Sequence, residues 1–256
     1  MSDTDINNTP EQPGQMTFID HLEELRSRII KAAVAVMIGF IATYFFADRV
    51  IEFLSEPFLE LSGSTLTLLA PTEGFMVRLK TGLLTGLIVS SPAVFYQFWN
   101  FIAPGLYQNE RRFIIPVVIW SVLLFAIGAL FAYQVLPYAM KFFHSFAEGG
   151  AENFWSLSKY ITFVTYLLLA FGLVFELPLV IYFAARMGLV TPQFLRKYRK
   201  HALIILLVLS AMITPPDIFT QAVLAIPLGI LYEVSIWLAV IAVKKHRREN
   251  PETPSN

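Results

Sequence analysis

Three stretches of 26 residues, 113–138, 160–185 and 218–243, hold between them only two charged side chains, Glu176 and Glu233. At 1.5 Å per residue a helix of that length runs about 39 Å, more than the roughly 30 Å of hydrocarbon in a bilayer. Runs 29–47 and 81–102 are also long enough to span. Run 202–213 is about 18 Å long as a helix, so it either thins the bilayer or stops before the far side. Apolar residues make up 56% of the chain, and the charged fraction of 15% is well below the roughly 25% of a soluble domain. Because lipid offers no partner for a bare backbone amide, such runs must be helical. The expected fold is all-α, an integral membrane protein with six transmembrane helices.

Net charge is zero and carries no information about partners; the placement of Lys and Arg does. Arg26, Arg28 and Lys31 flank the first run, Arg111 and Arg112 the second connection, Arg186, Arg196, Lys197, Arg199 and Lys200 the fourth, and Lys244, Lys245, Arg247 and Arg248 the tail. These fourteen fall on one side of six alternating spans, leaving Arg49, Arg78, Lys80, Lys141 and Lys159 on the other. By the positive-inside rule both termini are cytoplasmic and the protein sits multi-pass in the cytoplasmic membrane. Residues 1–16 are polar and lack the apolar core of a signal peptide, so the first span is expected to serve as the targeting signal. The domain expectation is a disordered polar segment at 1–16, a helical domain over 17–243 and a basic tail at 244–256.

Local patterning adds detail. Thr17 and Asp20 resemble a capping box, and Phe18, Leu22, Leu25 and Ile29 recur at helical spacing, predicting an amphipathic lead-in to the first span. Between Asp48 and Leu61, apolar residues interleave with Glu52, Glu56 and Glu60, which reads as a surface helix that Pro57 kinks or ends. Pro92, Pro116, Pro178 and Pro227 lie inside spans and predict a curved, concave bundle.

The side chains exclude most enzyme chemistries. With no cysteine there is no thiol nucleophile or thiolate site. There is also no G-x-S-x-G elbow, no H-E-x-x-H and no Walker A loop, and His21, His144, His201 and His246 are scattered. An intramembrane protease would need a dyad that cannot be assembled here. Binding or transport is the stronger class. Glu176 lies about 15 Å from the end of its run, where a charge costs at least about 2.5 kcal/mol, so it should be neutral, paired or facing a wet cavity. On the cytoplasmic side, Glu24 and Glu110 stand beside cations. Carboxylates so placed can hold guanidinium groups by bidentate hydrogen bonds, or can simply pair with Arg28 at i, i+4 and with the adjacent arginines. A small-solute permease using Glu176 at the midplane remains a competing reading, although the chain lacks two related halves.

Five separated motifs carry a resemblance. They are His21-Leu22-x-Glu24-Leu25-Arg26-x-Arg28; Ser55-x-Pro57; Phe101-Ile102-Ala103-Pro104-x-Leu106-Tyr107-x-x-Glu110-Arg111-Arg112; Ala170-Phe171-Gly172-x-x-Phe175-Glu176-x-Pro178; and Thr214-Pro215-Pro216-Asp217-x-Phe219-x-Gln221 with Leu224-Ala225-Ile226-Pro227. In this order they resemble the TatC family, the multispanning subunit of the twin-arginine protein translocase, over about 17–243. The resemblance implies a cup-shaped six-helix receptor for twin-arginine signal peptides of folded precursor proteins. Such a receptor assembles with TatA and TatB type single-span subunits and with other copies of itself in membrane lipid. Transport would be driven by the proton motive force, with no cofactor and no nucleic acid. By the same resemblance Glu24 and Glu110 receive the signal-peptide arginines, with Arg26 and Arg28 in the first motif and Phe101, Leu106 and Tyr107 shaping the floor. It also makes Glu176 an intramembrane polar contact, Thr214, Asp217 and Gln221 a partner-docking cluster, and Pro57 a structural residue.

Overall fold

The computed structural model describes residues 18–62, 65–102, 114–147, 155–213 and 218–249. Within them the chain is almost wholly helical: α1 (Phe18–Tyr44), α2 (Ala47–Ser62), α3 (Glu73–Ile102), α4 (Ile114–Ala147), α5 (Leu157–Phe175), α6 (Leu177–Arg186), α7 (Pro192–Lys197), α8 (Arg199–Ile213) and α9 (Ile218–Glu249). A two-residue parallel pair, β1 (Leu66–Thr67) with β2 (Trp155–Ser156), ties the segment after α2 to the start of α5. Neither this pair nor the six-residue α7 is legible in the hydropathy pattern, because both are too short to carry a period.

Among the described residues, four helical segments are long and apolar enough to cross a membrane: Glu73–Ile102, Ile114–Ser145, Leu157–Arg186 and Ala225–Lys244. A fifth is reached when α1 and α2, bent by 82° at their junction, are counted as one span. The protein is thus a multi-pass membrane protein. The 15 residues of α8 reach about 22 Å, so that run falls short here as it does in the sequence. Large apolar side chains such as Ile38, Trp120 and Trp237 are 63%, 60% and 72% exposed, a surface that a water-soluble monomer could not leave bare.

Two glycine contacts set the helix spacing. A Cβ on Gly86 of α3 would lie 2.5 Å from the Phe40 amide nitrogen, and one on Gly39 of α1 would lie 2.5 Å from the Gly86 carbonyl oxygen. Backbones therefore touch there, as small residues permit at membrane helix interfaces. The Thr43 hydroxyl, bonded to its own Gly39 carbonyl at 2.9 Å, also lies 3.0 Å from the Gly82 carbonyl across the interface. Gly128 of α4 and Gly172 of α5 make the second close approach, with Gly172 set under the Phe125 ring.

The apolar core forms where α2 to α5 meet, around Phe58, Leu136, Ile161 and Leu167. The face of α2 that carries Leu54 and Phe58 is buried while Glu52, Glu56 and Glu60 are exposed, as the interleaving predicts. Pro57 does not end that helix, which runs on to Ser62. Pro57 offers no N–H to the Phe53 carbonyl four residues back, and the Tyr133 hydroxyl of α4 donates to that carbonyl at 3.1 Å. Beside it, the Tyr160 hydroxyl of α5 donates to the Leu54 carbonyl at 2.7 Å. A second cluster packs α6 and α8 against α9 around Leu206, Leu228 and Ile236.

Candidate functional site

Glu24 and Arg28 lie one turn apart near the start of α1, in the order, acid before base, that favours an i, i+4 pair. The Arg28 guanidinium donates to Glu24 Oε1 at 3.2 Å and, through its other terminal nitrogen, to Gln97 Oε1 of α3 at 3.1 Å. Arg28 thus fastens the beginning of α1 to the end of α3. The second Glu24 oxygen, Oε2, is sealed from water and accepts no hydrogen bond; His21 Nδ1 lies 4.0 Å from it. The His21 ring lies flat on Phe101, with centroids 4.4 Å apart and planes 14° apart. Arg26 is exposed. The structure therefore brings Glu24, Arg28 and Phe101 into one cluster with His21 and Gln97. Leu106, Tyr107 and Glu110 lie outside the described residues.

Glu176 occupies the break between α5 and α6, capping the first at its C-terminus and the second at its N-terminus. The break follows from Pro178, which has no N–H for the Val174 carbonyl. The Glu176 N–H turns back to the Leu173 carbonyl at 3.1 Å, while its own carbonyl accepts from Leu179 and Val180 at 3.0 and 2.9 Å. The side chain is only 7% exposed. The Ser121 side chain of α4 lies beside the carboxyl, and one carboxyl oxygen, Oε1, is buried without a hydrogen-bond partner. Ser121, fully buried, accepts in turn from the Trp99 indole N–H at 2.7 Å. Next to the break, α4, α6 and α9 line an open apolar cleft of about 490 Å³ with Trp120, Pro178, Phe183 and Leu231 in its walls and Arg186 as its charged member.

At the junction of α8 and α9, the Gln221 amide donates to the Leu207 carbonyl at 3.1 Å, so it bridges two helices; Thr214 and Asp217 lie outside the described residues. Glu233, the other carboxylate of the long apolar runs, pairs with Arg199 at 2.8 Å with both side chains 46% exposed, which removes it from any intramembrane chain of titratable groups with Glu176. Sequence reasoning missed Gln97, which accepts from Arg28, and the pair of Trp99 and Ser121 beside Glu176. A polar residue recurring in the apolar runs was the available signal, but their partners lie 69 and 22 residues away in sequence, beyond the reach of periodicity.

These features define a multi-pass helical membrane protein whose polar sites are carboxylates with hydrogen-bonding capacity to spare. No cluster of three or more metal-ligating side chains occurs among the described residues, and the class indicated is binding or transport. The sequence profile of the family described as Sec-independent protein translocase protein (TatC) matches residues 20–227. The chain is 43% identical over 242 residues to the TatC of Desulforapulum autotrophicum, covering 93% of this chain and 90% of the relative. It is 43% identical over 236 residues to that of Aquifex aeolicus, covering 91% and 98%. A crystal structure described as the twin arginine translocase receptor TatC superposes with a TM-score of 0.77 at 43% identity, covering 87% of this chain and 99% of that one. The chain belongs to the TatC family, and so to a family of protein translocases with no catalytic activity of its own.

Proposed function

We propose that this protein is the receptor subunit of a twin-arginine translocase, and that Glu24, with Glu110, holds the paired arginines of a signal peptide. The observation that carries this reading is the unsatisfied Glu24 Oε2 beside a carboxyl oxygen already committed to Arg28. A buried acceptor without a partner costs about 1–3 kcal/mol, and a charged donor that reached it would recover that loss. Guanidinium suits the task better than ammonium, since its planar fork offers paired N–H donors to a carboxylate. The family resemblance assigns Phe101, Leu106 and Tyr107 to the floor of that site. Glu176 is an intramembrane polar contact for single-span TatA and TatB type partners, and Thr214, Asp217 and Gln221 make a docking cluster for them. The whole is a six-span cup in the cytoplasmic membrane with both termini inside, working with other copies of itself on the proton motive force to export folded precursors.

The test is photo-crosslinking of the full chain in membranes to a twin-arginine signal peptide. Glu24→Ala and Glu110→Ala are each expected to weaken crosslinking about tenfold or more, the size of a lost charge-assisted pair, while membrane insertion is unchanged. Undiminished crosslinking in both variants sinks the assignment.

A further inference from the structure

The last turn of α3 is held from two sides. Gln97 and Phe101, four residues apart and hence on one face of the helix, are gripped by Arg28 and His21 of α1. Trp99 lies between them in sequence and points the opposite way. Its ring packs on Phe183 of α6 with centroids 4.8 Å apart, and its indole nitrogen donates to Ser121. The face that touches the Glu24 cluster and the face that touches the Glu176 cluster therefore belong to the same helical turn.

The direction of the hydrogen bonds is fixed by chemistry. An indole N–H can only donate, so the Ser121 oxygen must accept from it, and the single hydroxyl proton of Ser121 is left to point onward. The Ser121 side chain lies beside the Glu176 carboxyl, and the Trp99 ring packs on the same helix, α6, that Glu176 caps. The same carboxyl sits at the helix break and has a second oxygen, Oε1, with no partner. Rotation of the α3 turn would move the indole, free or redirect the serine proton, and change how the carboxyl is presented. All three groups are inside the protein, with Trp99 4%, Ser121 0% and Glu176 7% exposed.

We propose that the last turn of α3 couples the two acidic sites: Trp99 and Ser121 are positioning residues for Glu176, and occupancy of the Glu24 site is transmitted to that carboxyl through the turn they share with Gln97 and Phe101. This rests on the receptor reading for the identity of the ligand. It goes further in making the intramembrane carboxyl respond to peptide binding.

The experiment uses the full chain in lipid nanodiscs and a lipid-soluble carbodiimide, which reacts with carboxylic acids in apolar surroundings. Modification of Glu176 is followed by mass spectrometry with and without a synthetic twin-arginine signal peptide. In the unsubstituted protein the peptide is expected to change the modification rate at Glu176 about three- to tenfold, the range set by one hydrogen bond. In Trp99→Phe, which keeps the ring and removes the donor, and in Ser121→Ala, the peptide is expected to stay bound while its effect on Glu176 disappears. A purely structural role would alter stability or the basal rate and leave the peptide dependence in place. The proposal is overturned if bound peptide leaves the rate unchanged in the unsubstituted protein, or if both variants keep the full effect. Failure of the unsubstituted protein to bind the peptide at all, read in the same samples, would overturn the receptor reading and the coupling with it. Two variants acting on different helices keep the test intact should one of them fold poorly.

Discussion

Pro57 shows how a single residue can dictate the partners of others. Its missing N–H strands the Phe53 carbonyl within α2, and Tyr133 supplies the donor that the helix cannot. Removing that hydroxyl in Tyr133→Phe should cost about 1 kcal/mol of stability, the net worth of one hydrogen bond. In a Pro57→Ala background, residue 57 can donate to Phe53 itself, so the same Tyr133→Phe change should cost little. Thermal unfolding of the four proteins in detergent gives the coupling energy directly, and additive losses would show that Tyr133 does not answer the proline. The proline and its disruption of the helix are plain in the sequence, and so is the i, i+4 spacing of Glu24 and Arg28. What cannot be read there is which distant side chain completes each local deficit. Tyr133, Gln97 and Ser121 were all unmarked because their roles come from packing between helices.

At the level of whole helices, the apolar runs locate the long elements well, since 26 apolar residues have few alternatives to a membrane-spanning helix. Boundaries shift outward: α3 starts at Glu73 and α4 runs to Ala147, because helices continue past the hydrocarbon edge into polar residues that hydropathy does not register. Packing between helices is hidden for a different reason, since contact is set by small residues whose partners lie elsewhere in the chain. The α1 and α3 pair meets at Gly39 and Gly86, where an added methyl would collide with backbone and not with a movable side chain. Gly86→Ala should therefore separate the two helices and loosen the Arg28 to Gln97 bond near their ends, lowering stability by roughly 1–3 kcal/mol, the cost of overpacking. Gly229→Ala is the contrasting case: its nearest neighbour is a Leu203 methyl at 3.5 Å, and in mid-helix the alanine should be neutral or stabilising by up to about 1 kcal/mol. Melting temperatures of the two variants in the same detergent should move in opposite directions or differ by several degrees; equal losses would mean that the glycine contact does not set helix spacing.

For the whole molecule, orientation in the membrane is the property on which both acidic sites depend, and it follows from charge and not from contacts. If all six apolar runs span, fourteen of the nineteen basic residues fall on one side, an imbalance that the positive-inside rule reads as cytoplasmic. The structure adds a geometric condition. The start of α1 and the end of α3 are joined through Arg28 and Gln97, so the Glu24 cluster and the second connection must share a side. The start of α5 is joined to the segment after α2 through the parallel pair of β1 and β2, so those two connections share a side as well. If Glu24 faces the cytoplasm, reporters fused after Glu110 and after Arg199 should be active as cytoplasmic fusions, and one fused near Glu148 as a periplasmic fusion. Fusion after Arg199 is informative only beside a fusion past α9, because α8 begins at Arg199 and is too short to count as a span on length alone. A cytoplasmic signal there, together with a cytoplasmic signal from a fusion after Arg248, requires α8 and α9 to enter and return as a pair, which a 22 Å helix can do only where the bilayer thins around it. Opposite signals at those two positions would leave α8 as a re-entrant or interfacial helix, put the C-terminus outside, and reverse the proposed topology for that end of the chain.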